Sequence, residues 1–182
     1  SGYEKPVRDV ITEAWKPLVD EISVSKLGSL HALRRGIGPE PRPSILLATH
    51  MDAIGLMVTG FKNGLLRFTE IGGIDPRILP GQLVNVQGRK EIPGVVVQPA
   101  DYLLPPFERG KSVNMHYLFI DTGLHEKDVL EQIRIGDIIS FAQKPLELTG
   151  NTLAGHSLDN RASVAAITQC LIELSHLQHA WD

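Results

Sequence analysis

The chain has 182 residues, of which 42% are hydrophobic and 21% charged. That balance suits a packed globular protein and excludes a disordered or low-complexity chain. Lys and Arg number 18 against 21 Asp and Glu, for a net charge of −3, so there is no electrostatic footprint for nucleic acid or an anionic membrane.

The single cysteine, Cys170, cannot form an intrachain disulfide and fits a reducing compartment. The polar N-terminal stretch lacks an apolar h-region, so no signal peptide is expected. The longest apolar runs, Ile45-Leu46-Leu47-Ala48 and Val95-Val96-Val97, are too short to span a bilayer.

The first segment reads as a helix. Val7, Val10, Ile11, Ala14, Leu18 and Ile22 recur at steps of three and four. Pro6 suits its first turn, and Pro17 predicts a kink or break. Val24 to Arg35 reads as short and β-like, and Gly36 to Pro43 as a turn-rich connector. Ile45 to Thr49 is an unbroken apolar run, which predicts a strand buried on both faces of a parallel sheet.

From Gly55 to Leu148 the pattern changes. Leu56–Thr59 and Leu65–Thr69 flank Asn63-Gly64, which predicts a β-hairpin. Gln82–Gln87, Gly94–Gln98, His116–Asp121 and Asp137–Phe141 add further β-like runs, with one short helix over Glu126–Ile133. Short strands at close spacing predict a small barrel or sandwich. Asn160 to Gln178 returns to helix, with an apolar face of Val164, Ile167, Leu171 and Leu174. Cys170, Trp15 and Trp181 read as packing residues. The expected organisation is an α/β scaffold (1–53 and 149–182) interrupted by an inserted all-β module (54–148).

Two motifs carry candidate chemistry. His50-Met51-Asp52 follows the apolar run, where sites form in α/β sheets. An imidazole binds a divalent ion through one nitrogen while an acceptor fixes the other. Alone, the motif fits a structural or capping role better than a metal-binding one. Asp159, in Leu158-Asp159-Asn160-Arg161, is either a helix N-cap with Arg161 in a surface ion pair or a carboxylate bridging two cations. His156 could approach the same site, although exposure in a loop fits it better. His176 and His179 suit a helix C-terminus. His31, His116 and His125 lack a metal-like spacing.

Taken together with Ile71-Gly72-Gly73-Ile74-Asp75-Pro76-Arg77, Gly94-Val95-Val96-Val97 and Ile135-Gly136-Asp137, the chain resembles the tetrahedral (TET), or glutamyl/leucyl, aminopeptidases from Tyr3 to Trp181. The resemblance implies a partial α/β zinc-peptidase-like catalytic domain with an inserted barrel or PDZ-like domain. It implies two divalent metal ions, zinc or cobalt, with His50 and Asp159 as metal ligands and Asp52 as the catalytic carboxylate that orients His50. It implies short peptide substrates and a cytoplasmic homo-oligomer assembled through the β module. The family's Glu-Glu pair and two later ligands are expected beyond residue 182. Two other readings are a non-catalytic oligomerisation or binding module and a cellulase-like glycoside hydrolase, which would need two carboxylates flanking the bond.

Overall fold

A computed structural model describes residues 2–112 and 114–182. In chain order the elements are helix α1 (Lys5–Trp15), strands β1 (Glu21–Val24), β2 (Leu30–Leu33), β3 (Gly55–Lys62), β4 (Leu65–Ile71), β5 (Leu83–Gln87), β6 (Glu91–Val97) and β7 (Phe119–Asp121), helix α2 (Glu126–Gln132), strands β8 (Ile138–Phe141), β9 (Leu146–Leu148) and β10 (Thr152–Ala154), and helix α3 (Leu158–Ser175). They form two compact units. One runs up to Ala53 and resumes at Ser157–Asp182; the other is Ile54–His156.

In the second unit, β3-β4-β7-β6-β5-β8 close into an antiparallel barrel. Strand side chains alternate faces with period two, and the inward set is apolar: Leu56, Val58, Leu66, Phe68, Val84, Val86, Ile92, Val96, Ile120 and Ile139 are all buried. Val129 of α2 and the following Ile133 complete this core. Gly94 takes the inward position between Ile92 and Val96. A Cβ there would lie 2.9 Å from Ile120 Cγ2 and 3.1 Å from the Asp121 carbonyl oxygen, so no larger residue fits without movement. Asn63 and Gly64 both adopt positive φ, 52° and 81°, as the tight β3–β4 turn requires. The hairpin β9–β10 also belongs to this unit, so the division falls at 156/157 where the sequence reading had 148/149. Residues 149–156 are held by that pairing.

In the first unit, Ile11 and Trp15 of α1 bury against Val164 of α3, with Val7, Ile22, Leu30, Met51, Ile167 and Leu171 around them. Trp15 Nε1–H donates to Thr168 Oγ1 at 2.8 Å, which satisfies the one polar group that a buried indole brings.

Several expectations need correction. The first helix stops at Trp15, with Lys16 as its C-cap, because Pro17 has no N–H to continue the helical ladder and its ring clashes with the carbonyl four residues back. Ile22 therefore lies in β1, paired antiparallel with Ala32. The β-like run from His116 becomes a 3₁₀ turn over Met115–Tyr117, and the strand starts only at Phe119. Cys170 and Trp181 are exposed. Cys170 lies at the flank of the Val164, Ile167 and Leu171 stripe on α3.

Residues 45–49 form no strand, and Ile45, Leu46 and Leu47 are exposed. A strand apolar on both sides is buried only when covered, and among the described residues only a fragment of pairing is present. Asp182 N–H donates to the Pro43 carbonyl and Ile45 N–H to the Asp182 carbonyl, the bond pair of a parallel bridge centred on Ser44. The Asp182 carboxylate also accepts from Gly36 N–H at 2.8 Å and Arg42 Nε–H at 2.6 Å. These hydrogen bonds, the Arg42 side chain first, hold its pKa below the ordinary carboxylate value.

Candidate metal centre

His50, Met51 and Asp52 follow the 45–49 run, and Asp159 lies at the start of α3. Asp159 (φ −88°, ψ 102°) and Asn160 (φ −122°, ψ 31°) depart from helical angles, so the regular helix begins only at Arg161. Asp159 is therefore not the N-cap that its position suggested. Ser157 precedes the helix, and no side-chain capping bond forms there.

The structure brings the three candidate residues together around one imidazole. His50 Nδ1 lies 3.0 Å from Asp52 Oδ1, and Nε2 lies 3.2 Å from Asp159 Oδ1. The side chains are open to solvent: His50 is 53% exposed, Asp52 41% and Asp159 92%. Ion pairs this exposed contribute little to stability, so folding alone does not account for the cluster.

The chemistry of the donors gives a second test. A neutral imidazole carries one N–H. With that proton on Nδ1 toward Asp52, Nε2 turns a lone pair toward a carboxylate oxygen. Two lone pairs facing each other across 3.2 Å attract only with a cation between them, either a second ring proton or a metal ion. Two ligands on a tetrahedral divalent ion, each about 2.0–2.1 Å from it, sit about 3.3 Å apart. The His50–Asp159 spacing matches such an edge. Among the described residues no group of three or more His, Cys, Asp or Glu is arranged so that it could hold a metal ion, so these residues fit one edge of a metal site and do not complete one.

Two residues that sequence reasoning left aside hold the segments in place. Thr49 Oγ1–H donates to the Asn160 carbonyl at 3.2 Å, and Arg161 Nε–H donates to the Met51 carbonyl at 3.0 Å. The expected surface ion pair of Arg161 is not found among the described residues. The signal for Arg161 was the Asp-Asn-Arg motif itself; Thr49 carried none. His156 belongs to the β unit, where Nε2 lies 3.3 Å from the Ile54 carbonyl and the ring packs edge-on against Phe141. His179 Nδ1 lies 2.8 Å from the Trp181 carbonyl oxygen.

The profile of the M42 glutamyl aminopeptidase family matches residues 28–182. The chain belongs to that family. A lysyl aminopeptidase from Pyrococcus furiosus is 32% identical over 180 residues, which is 96% of this chain and 51% of the relative. The TET aminopeptidase from the marine sediment archaeon Thaumarchaeota archaeon SCGC AB-539-E09 superposes with a TM-score of 0.88 at 30% identity, over 97% of this chain and 50% of that one. The Pyrococcus horikoshii TET1 peptidase, described as assembling into a tetrahedron or a large octahedral shell, superposes at 0.80 with 31% identity, over 97% and 52%. A Thermotoga maritima protein described as an endoglucanase superposes at 0.79 with 32% identity, over 100% and 53%. This M42 chain thus spans about half the length of the relatives it matches. Among its described residues no helix is long and apolar enough to cross a membrane.

Proposed function

We propose that this M42 chain carries part of the catalytic site of a metal-dependent aminopeptidase that removes N-terminal residues from short peptides. The observation that supports it most directly is the 3.2 Å approach of His50 Nε2 to Asp159 Oδ1. His50 and Asp159 would hold a divalent ion, zinc or cobalt, with Asp159 the carboxylate shared with a second ion. When bound, such ions act as Lewis acids that polarise a peptide carbonyl and acidify water. Asp52 accepts the Nδ1–H of His50, which fixes the ring's tautomer and plane and makes Nε2 a better donor. The exposure of all three side chains leaves room for substrate and for further ligands.

The same reading gives the protein a cytoplasmic setting and makes it a homo-oligomer, with the barrel as its PDZ-like contact module. The assembly described for the Pyrococcus horikoshii relative supports the homo-oligomer. The described residues bring together two donors and no third, so residues 1–182 by themselves are not expected to turn over peptide.

The test is release of free amino acids from short peptides by the intact protein loaded with zinc or cobalt. Activity that a chelator abolishes, and that acetylation of the substrate's amino terminus blocks, supports the reading. Metal binding without any peptide turnover favours a non-catalytic binding module, a second reading favoured by the two-donor site. Cleavage of β-glucans instead favours the glycosidase, the reading suggested by the endoglucanase relative. The geometry weighs against it, since Asp52 and Asp159 both face one imidazole, which fills the space between them that a glycosidic bond would need.

A further inference from the structure

We propose that Arg161, together with Thr49, is a positioning residue of this metal centre, locking the His50–Asp52 segment to the Asp159 segment so that the two donors keep the spacing of one ion. This rests on the metal-site reading above and deepens it.

The two hydrogen bonds bracket the donor pair. Thr49, just before His50, bonds the carbonyl of Asn160, just after Asp159; Arg161, the next residue, bonds the carbonyl of Met51, between His50 and Asp52. Both bonds are partly buried, whereas the donors they flank are exposed. Exposed side chains on irregular backbone hold a ligand geometry only if something beneath them is fixed, and a site loosened by about 1 Å fails. The half-buried Arg161 guanidinium commits its Nε–H to a neutral main-chain oxygen, and no ion pair is described for it. A surface arginine serving solubility alone has no reason to lie this way. Lysine could keep the charge but not the sideways Nε–H of a planar fork. Neither residue touches an ion or substrate; both act through the backbone of the residues that do.

Cobalt(II) titration of the intact protein tests this, with the visible d–d bands reporting coordination geometry and competition with a chromophoric chelator reporting affinity. Arg161→Met lowers cobalt affinity about 10- to 100-fold and alters the d–d envelope, and Arg161→Lys does not restore them. Thr49→Val shifts both in the same direction, and Thr49→Ser restores them. Circular dichroism and the thermal midpoint check folding; if Arg161→Met does not fold, the Thr49 pair decides. Wild-type affinity and an unchanged spectrum in Thr49→Val and in folded Arg161→Met overturn the inference while leaving the metal site standing. A wild-type protein that binds no cobalt overturns the metal-site reading itself, and this inference with it.

Discussion

One imidazole is shared by two carboxylates: His50 Nδ1 lies 3.0 Å from Asp52 and Nε2 lies 3.2 Å from Asp159. The two contacts differ in kind. The first orients the ring, and the second sets an edge that a divalent ion can span.

That difference predicts how substitutions separate. In the intact protein, His50→Ala and Asp159→Ala abolish measurable zinc binding, because each removes a donor. Asp52→Asn keeps the shape and weakens binding about 10- to 100-fold. Because these side chains are exposed, each change moves the metal-free unfolding free energy by no more than about 0.5 kcal/mol. Calorimetric zinc titration beside urea denaturation measures both. Asp52→Asn binding as weakly as His50→Ala would show that Asp52 is a ligand and not an orienting acceptor.

The barrel offers a prediction independent of metal. Ile120 is fully buried, so Ile120→Ala costs about 2–5 kcal/mol. Gly94→Ala places a methyl 2.9 Å from Ile120 Cγ2 and costs about 1–3 kcal/mol by overpacking. Ile120→Ala removes that methyl's obstacle, so the double variant is less destabilised than the two single costs together imply. Urea denaturation of the four proteins gives the coupling; strict additivity would contradict the close approach of Gly94 to Ile120.

Acid titration probes the Gly-Gly-Ile-Asp-Pro-Arg turn. Asp75 accepts from the Arg77 side chain at 2.5–3.0 Å and from its backbone N–H at 2.9 Å. These bonds, the side-chain ones first, lower its carboxyl pKa from 3.8 to about 2. A pKa lower in the folded chain favours folding at pH values above the unfolded one. That contribution, small at so exposed a site, is fully present above about pH 5 and fades as pH falls through about 4 toward 2. Carboxyl carbon chemical shifts should show a midpoint near 2 in the native protein and a higher one in Arg77→Met. A native midpoint at the ordinary value would contradict the pairing.

The barrel was largely legible in the sequence because its signals are local. Period-two alternation in Leu56/Val58, Leu66/Phe68 and Val84/Val86, with Asn63-Gly64 between the first two strands, identifies strands and turn without tertiary information. Ile45–Thr49 was misread because burial on both faces is not a property of five residues. Among the described residues Ser44 finds a parallel partner in Asp182, and Ile45 to Ala48 beyond it stay exposed. At the site, His50, Asp52 and Asp159 could be named by residue type and motif. Thr49 and Arg161 could not be placed, since both contact main-chain oxygens, and the sequence does not encode which carbonyl a distant side chain will meet. Arg161 reaches one 110 positions away.

The central claim is that His50 and Asp159 together hold a divalent ion. Anomalous diffraction at the zinc edge, from crystals of the intact protein grown with zinc, tests it most directly. The account predicts an anomalous peak about 2.0–2.2 Å from both His50 Nε2 and an Asp159 carboxylate oxygen. A zinc-loaded crystal with no peak between those two side chains would contradict it.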